Sequence, residues 1–153
     1  MKDINLLQNI PLFKNLTENE LEKILQLAFV KEYKKGFTLF FQGMQGGVMY
    51  VILRGSISII GKDKDGGEHE IVVLRRGDYL GEMSMIEEER RSATARVSED
   101  ALLLVITKKC FSTMLETDPS ITSKLLLEFL ITMSQRLRNT TTMLNEIKKE
   151  KEG

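Results

Sequence analysis

Ten of the eleven glycines fall between Phe29 and Thr107: Gly36, Gly43, Gly46, Gly47, Gly55, Gly61, Gly66, Gly67, Gly77 and Gly81. Between them lie short runs rich in Val, Ile, Leu and aromatics, at 38–41, 49–53, 56–60, 71–74, 94–97 and 102–106. Short apolar runs punctuated by glycine predict strands joined by tight turns, closed into a β-sandwich or jelly-roll barrel over residues 29–107. Asp65-Gly66-Gly67 is a hairpin turn, since glycine tolerates positive φ.

The grammar on either side is helical. In residues 1–28, Thr17 and Glu20 form an S/T-x-x-E capping box, followed by Leu21, Ile24, Leu25 and Ala28 at helical spacing. Ile10-Pro11-Leu12-Phe13 makes an apolar knot just before it. In residues 108–150 a short helix over 108–116 is expected, then Asp118-Pro119 capping a long one to about residue 149. The polar tail 148–153 is expected to fray. The chain thus reads as one domain, mainly β with flanking helices. Within the long helix, Leu126, Leu130, Met133, Leu137, Thr140, Leu144 and Ile147 follow steps of four and three, a heptad seam with one polar member. Ile121, Leu125, Phe129 and Thr132 mark a second edge that would lie on the barrel. Two such edges predict a helix that packs on its own barrel and on a partner helix. A wider single stripe against one core is the alternative.

Composition removes whole classes of function. Lys plus Arg is 22 and Asp plus Glu is 22, so the chain lacks the positive surplus of a bulk nucleic-acid binder. A lone cysteine, Cys110, excludes an internal disulfide and a thiolate metal cluster; it reads as a small core residue. A lone histidine, His69, beside Glu68 and Glu70, excludes a multi-histidine centre and reads as exposed. No cofactor or metal is expected. The start lacks a signal-peptide core, and the most apolar window, 125–133, is broken by Glu128 and too short to span a bilayer. A cytoplasmic protein with no membrane partner is the expectation.

The chemistry is concentrated in Gly81-Glu82-Met83-Ser84-Met85-Ile86, Glu87-Glu88-Glu89-Arg90 and Arg91-Ser92-Ala93-Thr94. Gly81 permits a sharp exit from a strand, and Glu82 opens a short helical turn whose first N–H groups point outward. Arg91 carries a forked donor set suited to phosphate oxygens. Ser92 adds a hydroxyl, and Ala93 leaves room for backbone to approach a ligand. Glu82, an acceptor, suits a sugar hydroxyl. Together they ask for a ligand with both a phosphate and a ribose hydroxyl.

This segment resembles the phosphate-binding cassette of cyclic nucleotide-binding domains, most closely those of bacterial relatives of the catabolite activator protein. Ile10-Pro11-Leu12-Phe13, Leu16-Thr17, Glu20-Leu21, Tyr50-Val51-Ile52-Leu53 with Gly55, Gly77-Asp78-Tyr79, Phe111 and Arg136-Leu137-Arg138 extend the likeness over nearly the whole chain. The resemblance implies a cupin-like double-stranded β-helix and a non-enzymatic sensor that binds cyclic AMP, with cyclic GMP the lesser alternative. It implies that Gly81, Glu82, Met83, Ser84, Arg91, Ser92 and Ala93 form the ligand site, Glu82 holding the ribose 2′-hydroxyl and Arg91 the cyclic phosphate. Serine rather than threonine at 92 leans towards cyclic AMP. Thr140 and Thr141 stand where the family's long helix offers hydroxyls to adenine, one from the opposite subunit of a homodimer.

Departures exist: Arg90 stands where the family often has proline, and Glu87, Glu88 and Glu89 crowd an anion site. Exposure of that loop would screen the repulsion, whereas burial would make the pocket degenerate. The second reading is accordingly a degenerate pocket in a protein-interaction or dimerisation domain, with Arg91 merely paired to a surface glutamate. A cupin-like metalloenzyme lacks ligands. The chain stops where relatives place a DNA-reading helix-turn-helix, so DNA binding is not expected of these residues, and the downstream partner is unidentified.

Overall fold

The computed structural model describes residues 3–152, so Met1, Lys2 and the last residue of the expected fray, Gly153, lie outside the described residues. Single 3-10 turns at Ile4–Leu6 and Pro11–Phe13 lead into α1 (Glu18–Leu27). Both arms of the capping box form: the Glu20 amide donates to Thr17 Oγ1 (3.2 Å), and the Thr17 amide donates to Glu20 Oε1 (2.9 Å). Six strands follow: β1 (Phe29–Tyr33), β2 (Thr38–Phe40), β3 (Val48–Lys62), β4 (Glu68–Arg75), β5 (Tyr79–Leu80) and β6 (Thr94–Thr107). The short α2 (Met83–Ile86) precedes β6, and α3 (Lys108–Thr117) and α4 (Pro119–Glu152) follow it.

The sheet is antiparallel throughout, in the order β1-β6-β3-β4, with β2 on β6 and β5 on β3. This is the jelly-roll with flanking helices that the glycine spacing predicts. β3 and β6 are buried on both faces. Met49, Val51 and Leu53, with Leu102, Leu104 and Ile106, face the helices. Tyr50, Ile52, Ala101, Leu103 and Val105 face the barrel interior. Alternation of side chains along a strand sends successive residues to opposite sides, so a strand with two cores reads as an unbroken apolar run.

Several boundaries differ from expectation. The runs at 49–53 and 56–60 are one strand, as are those at 94–97 and 102–106; the expected turns are bulges, with register shifts between Ile52 and Ile57. Gly55 explains why: its φ is +83°, and a Cβ there would lie 2.2 Å from the Asp100 carbonyl oxygen. Glycine here permits close approach within a sheet rather than a chain reversal. β1, largely exposed and carrying Lys31 and Glu32, is a strand that the apolar pattern does not reveal. The tail does not fray within the described residues, as α4 continues to Glu152, 34 residues or about 51 Å. Nor does the Asp118 side chain cap α4: its carboxylate accepts from Lys23 and Thr117, while its backbone carbonyl receives the Ile121 amide at 3.0 Å.

The second edge of α4 lies on the core as expected, with Ile121, Leu125 and Phe129 buried and Thr132 half-buried. Cys110 is buried at the start of α3, and His69 is exposed, its Nδ1 2.7 Å from Asp63 Oδ1. No group of three or more His, Cys, Asp or Glu suited to a metal occurs among the described residues. No helix among them is long and apolar enough to cross a membrane.

Candidate functional site

A cleft of about 520 Å³ opens between β2, β3, β4, the β5–α2 segment, the loop leading into β6 and α4. Its size is that of an ordinary small-molecule site. Gly81, Glu82, Met83, Ser84, Arg91, Ser92 and Ala93 all line it, so seven of the nine residues singled out from sequence come together. Ile59, Val72 and Leu74 supply an apolar wall.

Gly81 sits at φ +84°, a region that favours glycine, and a Cβ there would lie 2.5 Å from the Val48 carbonyl oxygen and 2.8 Å from Arg91 Nη1. The sharp exit from β5 and the space for the arginine are therefore one requirement. Glu82 then begins α2, whose first closed turns are the Ser84 and Met85 amides donating to the Gly81 and Glu82 carbonyls (3.1 and 3.0 Å).

Arg91 is held from the opposite side. Its amide donates to the Met44 carbonyl and its carbonyl accepts from the Gly43 amide, both at 2.8 Å. The guanidinium lies 4.0 Å from the Phe40 ring centroid, and Nη2 donates to the Val48 carbonyl at 2.8 Å. Nε is buried with no hydrogen-bond partner. None of the ion pairs among the described residues includes Arg91, so the alternative in which it merely pairs with a surface glutamate has no such pair here. Burial pushes its pKa below the usual arginine value, opposed by the nearby Tyr50. A half-buried cation with a spare N–H and no counter-charge is a costly arrangement that an anionic ligand relieves.

Glu82 is buried, and one oxygen accepts from Arg136 Nη1 of α4 at 3.2 Å. Arg136 also lines the cleft, tying the long helix to the site. Sequence reading placed Arg136 in the helix but not in the site. Its signal was its position four residues before Thr140, on the same helical face. Phe40 was missed altogether, because a contact between β2 and the start of β6 leaves no local trace.

Thr140 and Thr141 are exposed and do not line the cleft; their hydroxyls donate to the Arg136 and Leu137 carbonyls of their own helix (2.9 and 3.0 Å). The acidic loop is on the surface. Glu87, Glu88 and Glu89 are exposed, and Glu88 lies 3.6 Å from Lys108 Nζ, so solvent screens their charge. Arg90, also exposed, donates to the Gly43 carbonyl at 2.9 Å.

Comparison with known proteins gives one answer. The chain is 36% identical over 104 residues to a cAMP-dependent protein kinase regulatory subunit of Mycosarcoma maydis, a stretch covering 66% of this chain and 20% of that one. It is 29% identical over 135 residues to the cAMP-activated global transcriptional regulator CRP of Escherichia coli O6:H1, covering 88% of this chain and 62% of the regulator. These curated relatives are thus considerably longer than the part that matches. The catabolite activator protein of Thermus thermophilus superposes with a TM-score of 0.77 at 28% identity, over 90% of this chain and 62% of that one. The family model described as "Cyclic nucleotide-binding domain" matches residues 30–118, more than half of the chain. With the cassette, the jelly-roll and the cleft in place, the chain belongs to the cyclic nucleotide-binding domain family.

Proposed function

We propose that the cleft binds cyclic AMP and that the domain is a non-catalytic sensor signalling through α4. Arg91 takes the cyclic phosphate with Ser92 and the backbone around Gly81 and Ala93. Glu82, steadied by Arg136, accepts the ribose 2′-hydroxyl, with Met83 and Ser84 completing the cradle. The observation that carries this reading is the convergence of Gly81, Glu82, Arg91, Ser92 and Ala93 on one cleft, with Arg91 held on the Phe40 ring and the Val48 carbonyl and in none of the ion pairs among the described residues. α4 supports the output: Leu130, Leu137, Leu144 and Ile147 of its seam are exposed, as an unpaired dimer helix would present them. In a homodimer, Thr140 and Thr141 would turn their hydroxyls towards the adenine, one from each subunit, and nucleotide would bias α4 between two poses. With balanced charge, the domain works in this reading in the cytoplasm, with neither membrane nor nucleic acid as its own partner.

Calorimetric titration of cyclic AMP and cyclic GMP into ligand-stripped protein tests the proposal. Saturable binding, stronger for cyclic AMP, is expected, with Arg91→Ala weakening it by about one to two decades. Absence of saturation with both nucleotides, or indifference to Arg91→Ala, would leave a degenerate pocket and a domain acting through its helix alone.

A further inference from the structure

Phe40 of β2 lies under the Arg91 guanidinium, with the guanidinium carbon 4.0 Å from the ring centroid. The ring is itself fixed. It stacks on Tyr50 at 6.4 Å with 29° between planes, and Tyr50 meets Tyr33 edge-on at 6.4 Å. Arg96, five residues further along the chain, shows the ordinary way to hold an arginine: Nη1 and Nη2 donate to Glu68 at 3.1 and 3.3 Å, and Nε donates to Thr38. Each of its three nitrogens already donates to a protein oxygen. Arg91 has an aromatic face where Arg96 has a carboxylate.

The difference matters for an anion site. A ring face attracts the cation through its quadrupole and covers one side of the planar guanidinium without taking any in-plane N–H, so the Nη hydrogens not given to the Val48 carbonyl stay available. A carboxylate at the same place would hold Arg91 more firmly, but an anionic ligand would have to displace it. An aliphatic side chain would leave the guanidinium free to swing. We infer that Phe40 is a positioning residue of the anion site, presetting Arg91 for a phosphodiester without consuming its donors. The inference rests on the cyclic nucleotide reading of the cleft and adds to it a residue from outside the cassette.

The test compares the full chain with Phe40→Leu and Phe40→Tyr, using cyclic AMP and adenosine, which keeps base and ribose but lacks the phosphate. Phe40→Leu should weaken cyclic AMP binding about five- to thirty-fold while leaving adenosine within about two-fold, and Phe40→Tyr should restore the loss. Equal losses for both ligands would make Phe40 ordinary pocket wall, and no loss for either would remove it from the site; both results overturn the inference. A second readout needs no nucleotide. In ligand-free protein, NMR should show slow exchange of the Arg91 Nε–H in wild type and Phe40→Tyr, and faster exchange in Phe40→Leu; unchanged exchange counts against the inference. If wild type takes up neither cyclic nucleotide, the functional reading falls, and the exchange measurement alone decides whether Phe40 holds Arg91. Phe40→Met replaces the leucine variant should that fail to fold.

Discussion

Residues 119–129 of α4 are gripped from several sides, whereas residues 130–152 of the same helix run on almost untouched. In the first stretch, Ile121, Leu125 and Phe129 are buried. Ser120 and Lys124 both donate to Glu20 of α1 at 2.7 Å, and Lys23 pairs with Asp118 just ahead of the helix. In the second, Leu130, Leu137 and Leu144 are 63%, 67% and 61% exposed. Beyond Thr132, the Arg136–Glu82 pair is the one ion pair to the barrel among the described residues. Geometry alone does not distinguish the two stretches. Their stabilisation does, because helices in water draw most of their stability from packing an apolar face. The root is anchored by its own domain, and beyond Thr132 the free half depends on what covers it and on one ion pair to the site.

The sharpest way to break this contrast is to truncate one large apolar side chain in each half. Phe129→Ala should cost about 3–5 kcal/mol in urea unfolding, against less than about 0.5 kcal/mol for Leu137→Ala in dilute protein. Equal costs would erase the distinction. Next comes Glu20→Gln, expected to cost about 2 kcal/mol near neutral pH. Burial pushes the Glu20 carboxyl upward, but hydrogen bonds from Lys124, the Thr17 amide and Ser120, with the Lys124 charge, outweigh it and hold the pKa at about 2 instead of 4.5. Because the folded value is the lower one, this contribution is complete above pH 4.5 and is lost as pH falls from there towards 2. Wild type should therefore lose stability over that window faster than Glu20→Gln, a difference that melting curves at several pH values will show.

Smaller effects belong to the free half. Thr140→Leu completes the seam and should shift self-association in sedimentation to about ten-fold lower concentration, while reducing discrimination between cyclic AMP and cyclic GMP. Arg136→Gln should change global stability by less than about 1 kcal/mol, since its partner pair is half open to solvent. It should nevertheless speed amide exchange in α4 just past Phe129, where the contact with Glu82 is the remaining tether. Unaltered exchange there would mean that the site and the free half are not coupled in the empty protein.

What could be read from the chain beforehand follows the range of the forces involved. The capping box, the cassette and the core-facing edge of α4 are each written within a few residues: the capping box forms, the seven cassette residues singled out line one cleft, and Ile121, Leu125 and Phe129 are buried. β1 escaped notice because edge strands with polar side chains carry no apolar alternation. Gly55 reads as a turn in the sequence because glycine signals both reversal and close approach, and only the Asp100 carbonyl facing it decides between them. Arg136 and Phe40 reach the cleft from opposite ends of the chain, through pairings that tertiary structure alone creates. Thr140 and Thr141 sit on the expected helix but not on the cleft, and a role for them requires a second chain.

The pairing of β3 with β6 sets the tempo at which this molecule assembles. Ile52 meets Leu103, and Ile57 meets Val97, so the twice-buried centre of the sheet closes loops of about forty to fifty residues. Contacts so distant along the chain are slow to find, and domains dominated by them fold in milliseconds to seconds. Helical turns such as those of α4 form within about a microsecond. On refolding of the full chain, α4 therefore flickers in and out of helix long before the barrel that would anchor it exists. Refolding followed by fluorescence and by helical dichroism should register that separation.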